Sequence, residues 1–167
     1  MKKHFIILLF LPLILSCQRR AGSEKTKEFL KKYDKIRLIS YNQHRDTYSN
    51  NDSISIINDT IKIPQIEIVD NIELHQNYSE KIFSILLSEK RKGTMADCYY
   101  PRHILLFYKN SKIIGFYEFS VGCGGCTQSD KIDIGYINTE QGKELIELFK
   151  EMKLKNNGEE SDNYKYF

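Results

Sequence analysis

The sequence predicts an α+β fold, a mostly antiparallel sheet with two or three helices packed on it. Three observations lead there. Short runs rich in Ile, Tyr and Phe recur between turn residues, as strands do. Two longer stretches, 77–92 and 138–152, repeat apolar residues at helical spacing. The runs Ile104–Tyr108 and Ile113–Phe119 flank the polar stretch Lys109-Asn-Ser-Lys112, a hairpin signal that makes the pairing antiparallel.

Taken in order, Ser23 is placed to cap a first helix over Glu24–Tyr33, with Phe29, Leu30 and Tyr33 on one side. Ile36–Tyr41 reads as a strand, and Asn42 to Asp52 is a polar, turn-rich loop. Four short apolar runs follow: Ile54–Ile57, Ile61–Ile63, Ile66–Val69 and Ile72–Leu74. Asn58-Asp-Thr60 and Asp70-Asn71 sit between pairs of them where hairpin turns would. In the second helix Asn77 and Glu80 have the spacing of a capping box, and Ile82, Phe83, Ile85 and Leu86 form an apolar face. That stripe reads as core packing rather than a cofactor site. Lys90-Arg-Lys92 would complement the dipole at its end, with Gly93 as the left-handed cap.

In the 104–119 hairpin, alternation puts Leu105, Phe107, Ile114 and Phe116 on one face and Ile104, Leu106, Ile113 and Tyr117 on the other. Both faces are apolar, so these are interior strands. Lys131–Ile137 reads as a further strand. The last helix begins near Asn138 or Thr139 and turns Leu145, Leu148, Phe149 and Met152 inward. The polar stretch from Asn156 to Phe167 predicts a frayed tail.

The N-terminus carries an address. Met1-Lys-Lys-His4 precedes the apolar run Phe5–Leu15, eleven residues that rise about 16 Å as a helix against roughly 30 Å of bilayer hydrocarbon. That length, with Pro12 inside it, fits a secretory signal better than a permanent span. Ile14-Leu-Ser-Cys17 resembles the lipobox of bacterial prolipoproteins: an apolar residue at −3, a small one at −1 and a cysteine at +1. In that family the thiol receives a diacylglycerol, the signal is cut before it and the new amine is acylated. The resemblance makes Cys17 the mature first residue. Gln18, where an aspartate would retain an enteric lipoprotein in the inner membrane, favours the outer membrane. Each buried CH₂ contributes about 0.8 kcal/mol, so several acyl chains would hold the protein to its membrane. The expected organisation is a signal peptide over 1–16, lipidated Cys17 and a tether to residue 23, one domain over 24–155, and the tail.

Removing residues 1–16 takes away two lysines and no acid, so the formal charge falls from +3 to +1. That leaves no basic excess to bind nucleic acid. No repeat is visible, and no P-loop, Rossmann glycine pattern, Gly-x-Ser-x-Gly or His-Glu-x-x-His occurs. His44-Arg-Asp46, His75, Asp130 and Asp133 read as solvated polar groups.

Chemistry then rests on sulfur. Cys98, Cys123 and Cys126 remain after Cys17, an odd number, so one disulfide leaves one thiol. In an oxidising envelope a disulfide is the first expectation. With Asn110-Ser111 as turn centre, the extrapolated register sets Cys98 opposite Cys123 and His103 opposite Glu118, and a bond there would stabilise by about 3.5 kcal/mol in the chain-entropy model. Pro101 weakens that ladder because it lacks an N–H. Two alternatives stand beside it. Cys98, His103, Cys123 and Cys126 have the donor set of a Cys₃His zinc site. A reactive thiol is the other, although Cys123-x-x-Cys126 lies in a glycine loop rather than at the helix N-terminus that lowers a thiol pKa. Arg102 beside the cysteines is a candidate for binding an anion or pairing with an acid.

Ala96-Asp-Cys-Tyr-Tyr-Pro-Arg-His103, then Phe107-Tyr108, then Cys123-x-x-Cys126, resembles a segment of small uncharacterised lipoproteins of Gram-negative bacteria. The resemblance spans roughly residues 77–150. It implies a shared α+β fold, with Cys98, Pro101, Arg102 and Cys123 acting as a unit, and carries no assigned activity. The expected function is a lipid-anchored envelope protein: a disulfide-stabilised module that binds an envelope protein partner, with no cofactor beyond the lipid on Cys17. The alternative is a thiol-redox or zinc protein centred on Cys98, Cys123 and Cys126. Catalysis is not the expectation.

Overall fold

A computed structural model describes residues 24–41, 55–57, 60–62, 68–89 and 101–159. Helix α1 covers 24–30. It is followed by β1 (Lys35–Tyr41), β2 (Ser55–Ile57), β3 (Thr60–Lys62), β4 (Ile68–Glu73), α2 (Gln76–Leu86), β5 (His103–Lys109), β6 (Lys112–Phe119), β7 (Cys126–Gln128) and α3 (Thr139–Glu151). Five strands form one sheet in the order β4-β1-β5-β6-β7, and β2 and β3 pair by themselves. Every pairing is antiparallel. This is the expected α+β fold with three helices.

The β5–β6 hairpin turns at Asn110 and Ser111, whose φ values of 49° and 64° are both left-handed. A two-residue turn of that hand matches the right-handed twist of the strands it joins. The Asn110 N–H donates to Asp34 Oδ2 at 2.6 Å and ties the turn to the residue before β1. Tyr108 pairs with Ile113, but Phe107 pairs with Gly115, so Ile114 is an extra residue and the strand bulges. One added residue exchanges the faces of everything beyond it. Phe116 therefore joins Ile104 and Leu106, while Tyr117 joins Leu105 and Phe107, the reverse of simple alternation. His103 consequently faces Phe119, not Glu118. The register used to align Cys98 with Cys123 does not hold past the bulge, and Cys98 itself lies outside the described residues.

β4 runs unbroken through Asp70-Asn71, where a turn was expected. It is an edge strand, and its polar residues find partners across the sheet. Arg37 donates to Asn71 Oδ1 at 2.8 and 3.1 Å, and the Ser40 hydroxyl donates to Asp70 Oδ2 at 2.5 Å. The strand expected over Lys131–Ile137 is irregular, and the ladder partner of β6 is the shorter β7. The alternation survives without the ladder, since Ile132, Ile134 and Ile137 are buried. Gln128 Oε1 accepts the N–H groups of Ile134 and Gly135, which gives that stretch a side-chain substitute for a neighbouring strand.

Leu38, Leu105, Phe107, Tyr117 and Phe119 meet Phe29 of α1, Phe83 of α2, and Leu145 and Phe149 of α3 in the main core. Each such side chain contributes about 1.5–3 kcal/mol by leaving water. The opposite face is buried as well, through Ile39, Tyr41, Ile104, Leu106 and Phe116. α3 begins with a capping box: Asn138 accepts from the Gln141 N–H, and the Gln141 side chain accepts from the Asn138 N–H. The same Gln141 donates to Ile85 O at 2.8 Å, satisfying a carbonyl at the end of α2. The box expected at Asn77 is not formed; His75 holds the N-cap position of α2 without a side-chain bond. The cap expected at Lys90–Gly93 lies outside the described residues.

Candidate functional site

The residues that sequence reasoning grouped by chemistry lie at the end of the sheet where β1 finishes and β5 begins. Beyond Phe119 the chain turns through residues 121–125 before β7. Ser120 organises that loop: its N–H donates to Gly125 O, its carbonyl accepts from Gly124, and its hydroxyl accepts from the Cys123 N–H. Gly124 has φ +73°, and a Cβ there would collide with the Ile137 carbonyl. The requirement for glycine is thus both conformational and steric. Ile137 N–H returns a bond to Gly124 O at 2.9 Å. The start of α3 presses on the same loop, because a Cβ at Gly142 would run into the Val121 carbonyl.

Cys123 is buried at 9% exposure and is disulfide-bonded, to a cysteine outside the described residues. Cys126 is half-buried on β7 opposite Phe119, and it carries a thiol. No disulfide joins two described residues. Cys17 and Cys98 lie outside the described residues, as do His44, Arg45 and Asp46.

His103 is fully buried between the rings of Phe119, at 5.5 Å, and Phe149, at 5.0 Å. Its Nε2 lies 3.0 Å from Asn156 O. A carbonyl only accepts, so Nε2 carries the proton and Nδ1 is a bare acceptor with no partner. Burial pushes its pKa down to about 4, against the Asn156 carbonyl, which favours the charged ring; Arg102 adds repulsion and Asp70 attraction. The ring is neutral at pH 7. Among the described residues no group of three or more His, Cys, Asp or Glu is gathered to hold a metal ion. Asp130 and Asp133 are exposed.

Arg102 continues the ladder past His103. Its N–H donates to Phe119 O and its carbonyl accepts from the Tyr41 N–H, while its side chain is half-exposed. On the face opposite His103, the Tyr41 hydroxyl donates to Glu118 Oε1 at 2.6 Å, with both residues at 0% exposure.

Sequence reasoning missed what closes this end of the sheet. Asn156, expected in a frayed tail, is 8% exposed. Its amide donates to Tyr41 O at 2.5 Å, its carbonyl receives His103, and its Oδ1 receives the Gly158 N–H. Asp70 accepts the N–H groups of Lys155 and Asn156, both at 3.1 Å. Burial pushes the Asp70 carboxyl up, but the bonds from Ser40, Asn156 and Lys155 together outweigh it and hold the group below its usual range. Gly158, at φ +85°, lies against Val121 and near the His103 ring. The signal was present as Asn156-Asn-Gly158, a short polar sequence that hydrogen-bonds its own backbone and turns readily. Nothing local indicates that Asp70, eighty-six residues away, is its partner.

Among the described residues no helix is long and apolar enough to cross a membrane. Comparison of this chain with protein-family models, with curated proteins and with solved structures finds no match in any of the three.

Proposed function

We propose that this is a lipid-anchored cell-envelope protein, sorted to the outer membrane, that works by binding an envelope protein partner rather than by catalysis. One observation carries the proposal: Ile14-Leu-Ser-Cys17 closing an apolar run that is too short to span a bilayer. A disulfide at Cys123 suits an oxidising compartment and supports the same address. Cys98 is the proposed partner of Cys123, because it precedes β5 by only four residues while Cys123 follows β6 by three. The anchor has a direct test. Mass spectrometry of the N-terminal peptide is expected to show acylated Cys17 and loss of residues 1–16, and Cys17→Ser is expected to remain unacylated and uncleaved. An unprocessed wild-type chain without acyl mass overturns the proposal. Non-reducing peptide mapping tests the bridge, and a Cys123–Cys126 or Cys17–Cys123 link would refute the proposed pairing.

The thiol reading keeps one specific support: the Cys126 thiol lies three residues from a disulfide-bonded cysteine. It predicts that Cys126 reacts with a disulfide probe faster than a model thiol at the same pH. Slower reaction than the model thiol removes this second reading. The zinc form of that reading requires stoichiometric zinc in protein purified under reducing conditions.

A further inference from the structure

A groove of about 440 Å³ opens at the other end of β1, roughly 20 Å along the strand from the cysteine loop. Its size falls within the range of small-molecule sites. It lies between α1 with its following turn and the beginning of α2. Leu30, Ile36 and Leu74 supply apolar lining, and Ile36 and Leu74 are buried core residues.

Its polar side is unevenly satisfied. Two acids line it, and both are engaged. Asp34 accepts from the Asn110 N–H and pairs with Lys109 at 3.3 Å, while Glu80 accepts from Gln76 Nε2 at 3.0 Å. Two lysines four residues apart, Lys27 and Lys31, also line it, and neither forms an ion pair or hydrogen bond through its ammonium among the described residues. The wall opposite them is the first part of α2. Its N-cap residue His75 provides no side-chain acceptor and its first turn holds no acid, so the positive end of the helix dipole is left uncompensated.

A helix N-terminus alone would not make a site. Ser79 supplies the independent observation. It is 7% exposed, it lines the groove, and its hydroxyl bonds to nothing among the described residues. The other two serines of this segment behave differently: Ser84 donates to Lys81 O and Ser88 to Ile85 O, each at 2.7 Å. A buried hydroxyl without a partner is costly, and one that lines a groove has its natural partner in what fills the groove. Tyr33 adds a second hydroxyl on the lining, and burial raises its pKa, so it stays a neutral phenol.

We propose that this groove binds a small amphipathic organic anion. Its carboxylate or phosphate head is received by Lys27, Lys31, the Ser79 hydroxyl and the α2 N-terminus, and its apolar body lies on Leu30, Ile36 and Leu74. The site is built by residues of the folded domain and does not depend on the lipid anchor, so it stands or falls separately from the address proposed above.

The test is an NMR titration of the full chain, held in lipid nanodiscs, with hexanoate, hexylammonium and inorganic phosphate as probes. Hexanoate is expected to shift amides in 27–36 and 74–80 saturably, at least tenfold more tightly than either other probe. Lys27→Ala with Lys31→Ala is expected to weaken hexanoate about tenfold. Ser79→Ala is expected to weaken it about fivefold, the worth of one hydrogen bond, without lowering the melting temperature, since Ala suits a helix better than Ser. Equal binding of hexylammonium refutes the charge requirement, and equal binding of phosphate refutes the apolar one. Hexanoate shifts that ignore all three substitutions, or that fall outside these two segments, overturn the site.

Discussion

His103 shows how one buried ring reports on pH. Its folded pKa of about 4 lies below the ordinary 6.5, so between those values the unfolded chain binds a proton that the folded chain refuses. Stability is full above pH 6.5 and falls as pH drops toward 4, by about 3 kcal/mol in total. Asp70 acts in a lower window. Its depressed pKa favours the fold above 3.8, and that contribution disappears only in stronger acid. We expect urea denaturation of the wild type to lose most of its pH-dependent stability between pH 6.5 and 4.5. His103→Phe keeps an aromatic ring between Phe119 and Phe149 but cannot titrate, so its stability should be nearly flat over that interval. A wild-type curve as flat as the variant's would contradict the burial argument.

At the scale of elements, the glycine loop and α3 constrain each other. Gly142 lies inside a helix, where Ala is normally better by about 1 kcal/mol. The space for its Cβ is taken by the Val121 carbonyl of the cysteine loop. Gly142→Ala should therefore destabilise, by about 1–3 kcal/mol, as overpacking does. Thermal unfolding decides the sign, and a more stable variant would show that α3 and the loop can separate without penalty. Gln141 provides a second link, because one side chain completes the cap of α3 and also holds the Ile85 carbonyl of α2. Gln141→Ala removes both and should cost about 1–3 kcal/mol, measurable in the same experiment.

For the whole molecule, the sheet buries both faces, and its open end is closed by chain segments far apart in sequence. The disulfide at Cys123 ties the cysteine loop into that arrangement. Reduction, or Cys123→Ser, is expected to lower stability by about 2–4 kcal/mol. Cys126→Ser, which breaks no disulfide, should lower it far less. Equal losses in the two variants would show that the loop depends on packing rather than on the bond.

Local pattern was enough for much of this protein. Alternating Ile, Phe and Tyr placed β1, β5 and β6, Asn110-Ser111 placed their turn, and Asn138 placed the start of α3, because each depends on residues within a few positions. The fold class followed from those elements, and the lipobox-like Ile14–Cys17 is likewise a purely local signal. Tertiary structure decided the rest. The bulge at Ile114 turned Phe116 and Tyr117 to opposite faces from those that alternation assigned, since register is a property of two strands and not of one. Asp70 became strand rather than turn, and Asn156 became a buried clasp rather than a loose end. A carboxylate and an amide look solvated until long-range contact supplies the partners that offset their loss of water.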